Sequence, residues 1–268
     1  MPTGAPQTWH YGLVARYWAE FNDGFRPHEI PYFRQFIEND GQPALDIACG
    51  TGRLLLPYLR AGLDVEGCDV SADMIAACRE KAQREGFAPS LHVQPMHELD
   101  LPRRYRTLYV CGAYGLGSTR EQDAQALDVF HELLEPGGTL LLDVEVPYAD
   151  SRHWKYWPAE ARTTLPEPES EPEKREVAAD GAEYGLRSRL LAVDPLDQSV
   201  TFEMRVEVWR GGVLEAWEVH RLDARYYFVN ELRLMIERAG FRDIVVHGDH
   251  VDAAPTSDDE FVVFVARK

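Results

Sequence analysis

The stretch LDIACGTGR, at Leu45–Arg53, joins an apolar run directly to a glycine-rich turn. The run has the composition of a buried strand, and the residues after the turn have the spacing of a helix. Gly50 and Gly52 let the backbone pass close to a ligand where a side chain would collide, and the start of the helix offers unpaired N–H groups. The stretch therefore predicts a strand, a ligand-binding turn and a helix.

Asp69 follows Gly50 by nineteen residues and stands at the end of the next predicted strand. A carboxylate at this point can bind both hydroxyl groups of a ribose. Because the carboxyl ends of neighbouring parallel strands meet at one edge of a sheet, Asp69 should lie beside the glycine turn. Together these features predict a cofactor that contains a nucleoside.

The residues around the turn argue against a pyrophosphate. A dinucleotide-binding turn needs a third glycine or an alanine for close packing of the helix, but Leu55 stands at that position. No Lys-Ser or Lys-Thr pair follows to form a phosphate-binding loop. Asp46 would repel phosphate and attract a cationic amino group. We therefore expect a nucleoside that carries an amino acid.

Short apolar runs alternate with helical patterns between residues 43 and 146. The apolar runs are Ala44–Ala48, Val65–Val70, Leu91–Gln94, Thr107–Gly112 and Thr139–Val146, and the helical patterns cover 52–61, 71–85 and 121–134. A helix at 229–239 and two strands at about 241–247 and 260–267 complete the series. This alternation predicts an α/β fold with a seven-stranded, mostly parallel sheet and helices on both faces.

A different pattern interrupts the alternation after the fifth strand. A polar, acidic and proline-rich loop at 147–181 precedes three alternating runs, at Tyr184–Val193, Val200–Arg210 and Val213–Arg225. Turn residues join these runs, which predicts an antiparallel three-stranded insert. We divide the chain into an N-terminal helical lid (1–42), a cofactor-binding domain (43–146 and 226–268) and an insert that covers the substrate (147–225).

The composition limits the classes of function. The 268 residues include 28 basic and 45 acidic side chains, which gives a net charge of −17. Such a chain would repel nucleic acid unless it had a basic patch, and none is visible. No run approaches the roughly 20 apolar residues of a membrane span, and the first residues lack the pattern of a signal peptide. We expect a cytoplasmic protein without a nucleic-acid or membrane partner.

The four cysteines are scattered, with neither a paired spacing nor a histidine pattern that would form a metal cage. A thiol in apolar surroundings usually behaves as a small buried hydrophobe. We therefore expect reduced cysteines and no metal site.

The sequence resembles the class I S-adenosylmethionine-dependent methyltransferases over about residues 10–146 and 226–268. The resemblance rests on the motifs DIACGTG (46–52), CDVSADM (68–74), LLEPGGTL (133–140) and ERAGF (237–241). An aromatic N-terminal helix and an antiparallel insert after strand five are similar to the glycine and amino-sugar N-methyltransferases. The resemblance implies a Rossmann-like fold and S-adenosylmethionine as cofactor.

The resemblance also assigns the residues of the methionine and ribose end. Gly50 and Gly52 would let the methionine part lie on the backbone, with Ala48 and Asp46 near its amino group. Asp69 would hold the ribose.

The adenine and the reactive end have their own expected partners. Val70 and Met74 would flank the adenine, and Met96 and His97 would face its edge. Cys111, at the end of strand four, would lie near the transferring methyl group.

Three tyrosines are further candidates. Tyr11 and Tyr17 could cover the sulfonium, which an aromatic face stabilises by roughly 0.5–2 kcal/mol. Tyr17 and Tyr114 are also the candidate catalytic residues. Pro95 departs from the family pattern, because an acid usually stands after the third strand and accepts a hydrogen bond from the adenine amino group.

The predicted reaction is an in-line methyl transfer to a nitrogen or oxygen of a small-molecule acceptor. A general base is needed only if the acceptor arrives protonated, and no acid–histidine pair in the sequence identifies one. Two alternatives remain: a non-catalytic S-adenosylmethionine-binding module, which the departure at Pro95 keeps open, and a nicotinamide-dependent oxidoreductase, which Leu55 opposes. A homodimer is also compatible with the sequence.

Overall fold

The computed structural model describes residues 8, 10–149, 151–170 and 175–268, with only the backbone of residues 151 and 152. Its strands in chain order are β1 (Ala44–Ile47), β2 (Val65–Asp69), β3 (Leu91–Val93), β4 (Tyr105–Val110), β5 (Leu134–Glu145), β6 (Arg175–Val177), β7 (Glu183–Asp194), β8 (Ser199–Arg210), β9 (Val213–Arg225), β10 (Arg242–Gly248) and β11 (Phe261–Arg267). The expectations about the first seven residues and about residues 171–174 of the acidic loop lie outside the described part of the chain.

The helices follow the predicted pattern except within the predicted loop at 147–181, where two helices of four residues each are too short to show a helical period. They are α1 (Gly12–Phe21), α2 (Glu29–Asp40), α3 (Leu55–Arg60), α4 (Ala72–Arg84), α5 (Arg120–Leu133), α6 (Ser151–Trp154), α7 (Ala159–Arg162) and α8 (Val229–Arg238). Ser71 caps α4 by accepting a hydrogen bond from the backbone N–H of Met74, and Thr119 and Gln122 form a capping box at α5. No helix within the described ranges is long and apolar enough to cross a membrane.

Seven strands form the central sheet in the order β10–β11–β5–β4–β1–β2–β3. β1 pairs in parallel with β2 and β4, and β4 pairs in parallel with β5, whereas β11 is antiparallel to both β5 and β10. The predicted α/β class, sheet size and mostly parallel pairing are confirmed. The parallel strands bring the ends of β1, β2, β4 and β5 to one edge of the sheet.

Both faces of the sheet are covered, because successive side chains of each buried strand point to opposite sides. Leu108 packs in a core with Phe130 of α5 and Leu232 of α8. The next residue, Tyr109, packs in a second core with Phe33 of α2 and with α3 and α4. The two cores hold the strand ends in place.

The insert forms a separate antiparallel sheet in the order β6–β7–β8–β9. Its three long strands agree with the predicted runs, and Gly211 and Gly212 join β8 to β9 with positive φ angles. The prediction of three strands was wrong in one respect, since β6 adds a short fourth strand. Its three residues at the end of an acidic loop are too few to show an alternating pattern.

The first helix packs on the insert. Leu13 and Val14 of α1 share a buried cluster with Met204 and Val206 of β8. The backbone N–H of Leu13 also donates to Glu218 Oε2 of β9 over 2.7 Å. The N-terminal segment and the insert are therefore joined above the edge of the central sheet.

Two leucines of α8 test the packing of the central sheet. Leu232 is fully buried and Leu234 is 64% exposed on the same helix. We expect Leu232→Ala to lower the free energy of unfolding by about 2–5 kcal/mol, because it leaves a cavity in the core. Leu234→Ala should change it by less than about 0.5 kcal/mol. Urea unfolding followed by circular dichroism measures both, and equal losses would contradict this packing.

Candidate active site

A cavity of about 430 Å³ lies where the carboxyl ends of the central strands meet the N-terminal segment and the insert. Its sheet side includes Asp46, Ala48, Gly50, Asp69, Val70, Met74, Met96, Cys111 and Tyr114. Trp18, Phe25 and Glu29 line it from the N-terminal segment, and Phe202, Leu222 and Ala224 line it from the insert. The chain thus encloses one space with three of its parts.

The glycine turn is built from backbone conformations that favour glycine. Gly50 and Gly52 have φ angles of +53° and +91°. Gly50 donates its N–H to Asp69 Oδ2 over 2.9 Å, which ties the turn to the end of β2. A Cβ on Gly52 would come within 2.9 Å of Cys78 Sγ. Gly50 therefore faces the cavity, while Gly52 packs the turn onto α4.

Asp69 is a buried carboxylate with two backbone partners. Its Oδ1 accepts a hydrogen bond from the N–H of Ser71 over 2.8 Å, besides the bond from Gly50. Burial raises the pKa of Asp69, and these backbone donors act in the opposite direction. A carboxylate has about four acceptor positions, so the two oxygens can still accept from a pair of hydroxyl groups in the cavity.

Asp46 has a buried carboxylate oxygen that could accept a hydrogen bond from a cationic ligand. Its side chain is 3% exposed, and its Oδ2 has no hydrogen-bond partner among the described residues. Burial raises the pKa of Asp46 to about 8, although the charge of Arg53 opposes this shift. The Tyr109 hydroxyl and the Leu55 backbone also favour the ionised form of Asp46, but a buried carboxylate oxygen that lacks a hydrogen bond is still costly. The site therefore fits a ligand that brings an ammonium group to Asp46.

A buried network of charged and polar groups lies beside this end of the cavity. Arg53 Nη1 is 2.5 Å from Glu29 Oε2, and Arg53 Nη2 is 3.4 Å from Cys111 Sγ. Cys111 Sγ lies 3.4 Å from Asp143 Oδ2, which is 2.9 Å from His250 Nε2. The network fixes α2 against the strand ends, because Glu29 begins that helix.

Four members of this network have the spacing of metal ligands. One atom from each of Glu29, Cys111, Asp143 and His250 lies within 4.8 Å of the others. The guanidinium of Arg53, however, contacts both Glu29 and Cys111 and already supplies positive charge there. We interpret the cluster as an ion-pair network, and the absence of a metal site stays a prediction.

Cys111 is a neutral thiol in these surroundings. Burial raises its pKa well above the usual value, and the neighbouring Asp143 and Glu29 raise it further. The thiolate is the nucleophilic form of cysteine. Cys111 can therefore border a ligand but is unsuited to nucleophilic catalysis.

The insert side of the cavity holds a histidine and a tyrosine that the sequence did not single out as a pair. His153 of α6 and Tyr226, which follows β9, both line the cavity. His153 Nδ1 is 2.6 Å from the Tyr226 hydroxyl oxygen, and the His153 ring packs edge-on against Phe202. This wall therefore combines a polar pair with an aromatic surface.

Four of the expected site residues do not line the cavity: Tyr11, Tyr17, Gly52 and His97. Tyr17 donates its hydroxyl to Glu176 Oε2 over 2.6 Å and packs against Tyr184 of the insert. Tyr11 is half exposed and stacks on His220. His97 Nε2 lies 3.2 Å from Gln122 Nε2 of α5. Their expected roles at the cofactor stay predictions without support from this geometry.

Tyr114 lines the cavity, but its hydroxyl is already bound. It donates to the backbone oxygen of Asp123 over 2.8 Å, and the ring packs against Tyr227. Burial also raises its pKa well above the ordinary value. The geometry therefore favours a wall of the cavity over a catalytic hydroxyl.

Several cavity residues were missed in the sequence. They are His10, Glu29, Arg53, Asp143 and Tyr226. Arg53 directly follows the glycine turn, and this position could have identified it. Glu29 and Tyr226 reach the cavity only through the packing of α2 and of the insert, for which a local pattern gives no signal.

Comparisons with known proteins agree with this geometry. The family model of a methyltransferase domain matches residues 44–138. A protein of Geobacillus sp. (strain WCH70) is 25% identical over 236 residues, which cover 88% of each chain. Its name describes it, provisionally, as a methyltransferase.

Two crystal structures share the fold across nearly the whole chain. An S-adenosylmethionine-dependent methyltransferase from Clostridium acetobutylicum ATCC 824 has a TM-score of 0.72 at 15% identity, with 95% of this chain and 97% of that chain covered. The sugar N-methyltransferase KedS8 from Streptoalloteichus sp. ATCC 53650 has a TM-score of 0.69 at 18% identity, with 100% and 99% covered. The family match and the Geobacillus relative confirm the expected resemblance to methyltransferases, and the two crystal structures confirm the expected fold.

The raised pKa of Asp46 predicts a specific dependence of stability on pH. The pKa is about 8 in the folded chain against an ordinary value of 3.8. The contribution of Asp46 to folding is therefore greatest below pH 4 and becomes less favourable as the pH rises towards 8. We expect the stability of the wild type relative to Asp46→Asn to fall between pH 5.5 and 8 in urea unfolding. A constant difference would contradict the raised pKa.

Proposed function

We propose that this chain, an S-adenosylmethionine-dependent methyltransferase with a small-molecule acceptor, methylates an amino group on a sugar-like molecule. The observation that carries the proposal is one cavity that is lined by the two buried carboxylates Asp46 and Asp69 and, on the insert side, by both polar and apolar side chains. Such a wall suits a sugar ring, which has hydroxyl groups and apolar faces. The fold shared with a sugar N-methyltransferase supports the same acceptor class.

The cofactor end of the proposal uses the sheet side of the cavity. Asp46 would bind the ammonium group of the methionine part, which gives its unpartnered Oδ2 a charged donor. Asp69 would accept from the two ribose hydroxyls while its backbone bonds hold it in place. Val70, Met74 and Met96 would surround the adenine, as apolar cavity residues beside β2 and β3.

The acceptor end uses the N-terminal segment and the insert. S-adenosylmethionine, when bound, supplies an activated methyl group, so the protein chiefly has to align the acceptor nitrogen with it. Alignment of this kind can lower the barrier by several kcal/mol, or about 7–11 kcal/mol in the best cases. Trp18 and Phe202 line the cavity from the N-terminal segment and from the insert, where they would limit the access of water to the reacting atoms.

The proposal also includes the expected partners, location and oligomeric state of the protein. The net charge of −17 supports an enzyme that does not bind nucleic acid. A cytoplasmic location and a homodimer stay predictions from the sequence.

The cofactor part is tested by calorimetry with S-adenosylmethionine on the wild type, Asp69→Ala, Asp69→Asn and the exposed control Asp100→Ala. Losing the bonds to the ribose should weaken binding at least about tenfold in Asp69→Ala, since a hydrogen bond to a charged group contributes about 1.5–3 kcal/mol. Asp69→Asn keeps an acceptor oxygen and should lose less. Unchanged binding in both Asp69 variants would contradict the assignment.

The acceptor part is tested by mass spectrometry on a panel of free and nucleotide-linked amino sugars. Each is paired with the sugar that has a hydroxyl group in place of the amino group. We expect one or two methyl groups to be added to a nitrogen, with release of S-adenosylhomocysteine. Transfer to the hydroxy sugars alone would contradict an amino acceptor.

A further inference from the structure

His153 and Tyr226 form a hydrogen-bonded pair on the acceptor side of the cavity. The distance between His153 Nδ1 and the Tyr226 hydroxyl oxygen is 2.6 Å, and both side chains line the cavity. His153 belongs to α6, shortly after the end of β5, and Tyr226 directly follows β9. Two segments distant in sequence therefore converge on one point of the cavity wall.

We propose that the His153–Tyr226 pair is the catalytic proton acceptor, which takes a proton from the ammonium form of the acceptor before methyl transfer. This inference rests on the proposed function, because only a nitrogen acceptor is protonated at neutral pH. An alkyl ammonium group has a pKa of about 10, so most of the acceptor carries no free electron pair at pH 7.

The chemical step balances with groups already named. An N–H bond of the ammonium breaks, its electron pair stays on nitrogen, and the proton passes to Nε2 of the His153 imidazole, whose Nδ1–H donates to the Tyr226 hydroxyl oxygen in this tautomer. The nitrogen then forms a bond to the methyl carbon while the carbon–sulfur bond breaks and its electron pair stays on sulfur. The proton on His153 leaves to solvent, so the net products are the methylated ammonium, the thioether and one proton.

The hydroxyl of Tyr226 is a positioning group for this step. The hydrogen bond between Nδ1–H and the Tyr226 hydroxyl oxygen orients the imidazole ring and keeps the proton on Nδ1, so that Nε2 is the basic nitrogen. Phe202 packs against the same ring, with centroids 4.9 Å apart. The imidazole is thereby oriented from two sides of the cavity wall.

The other histidines near the site suit this role less well. His10 lines the cavity, but burial and the neighbouring His220 lower its pKa to about 4, which makes it a weak base at neutral pH. The Nε2 of His250 is bound to Asp143, and His250 is not among the cavity-lining residues. His153 is therefore the histidine with the best placement among the described residues.

Other titratable and charged groups surround His153 and belong to its environment. Glu145 at the end of β5 and Arg225 at the end of β9 also line the cavity, and Tyr156 follows α6. Tyr156 donates its hydroxyl to Glu167, and Arg225 is paired with Asp197 at 3.6 Å. Charged groups on the same cavity wall can change the proton affinity of a histidine, so the test follows a full pH profile.

The test compares kcat/KM from pH 6 to pH 10 for the wild type, His153→Gln, Tyr226→Phe and the control Trp154→Phe, with an amino sugar that the wild type methylates. Trp154 is the next residue of α6 and is partly exposed. We expect His153→Gln to lose about 10²–10⁴-fold at pH 7, the usual contribution of a general base. Its rate should rise with pH as the acceptor amine loses its proton in solution, and approach the wild-type rate near pH 10.

The variants Tyr226→Phe and Trp154→Phe distinguish the loss of the proton acceptor from a general disturbance of the structure. Tyr226→Phe should lose less than His153→Gln and shift the acidic limb of the profile, whereas Trp154→Phe should keep the wild-type profile. The affinity for S-adenosylmethionine should be the same in all four proteins, which also shows that each is folded.

Two results would overturn the inference alone. One is a wild-type pH profile in His153→Gln, and the other is a loss of equal size at every pH. Failure of the wild type to methylate any amino sugar would instead refute the proposed function, and with it this inference.

Discussion

Two carboxylates that the fold removes from water, Asp46 and Asp69, are the constraint on which the rest of the site depends. They stand on neighbouring parallel strands at the same edge of the sheet, and burial raises the pKa of both. Asp69 is stabilised by two backbone N–H groups, whereas Asp46 keeps an unpartnered oxygen. In the proposed complex a cationic, hydroxyl-bearing cofactor would satisfy both groups and so offset the cost of burying them.

The remaining elements are arranged around this edge. The ion pair between Arg53 and Glu29 links the glycine turn to α2, and α1 is joined to the insert through Leu13. A buried ion pair is weak evidence for stability, but it restricts the orientation of the elements that it joins. The cavity is consequently closed by parts of the chain that are far apart in sequence, and each of them adds one wall.

Sequence reasoning succeeded where structure follows from local rules. The glycine turn and the position of Asp69 beside it both follow from the strand–turn–helix pattern of the chain. The three long strands of the insert were predicted from alternation alone. Tyr17 shows the limit of this approach, because its helical spacing allowed either a cofactor contact or a core contact. The structure directs its hydroxyl to Glu176 in the insert.

The groups that sequence reasoning missed depend on tertiary packing. Glu29 is buried because α2 lies against the strand ends, and nothing in its neighbours indicates this. The pair of His153 and Tyr226 is separated by the whole insert, so only the folded sheet brings the two side chains together. The short strand β6 was not predicted for a related reason, because three residues are too few to show an alternating pattern.

The most direct test of the site is a crystal structure of the protein with S-adenosylhomocysteine, the product that lacks the transferred methyl group. We expect its ribose hydroxyls to lie within hydrogen-bond distance of the Asp69 carboxylate and its ammonium group to lie beside Asp46. The sulfur should then face the part of the cavity bordered by the insert. Binding of the product outside this cavity, or with its ribose away from Asp69, would contradict the assignment of both carboxylates.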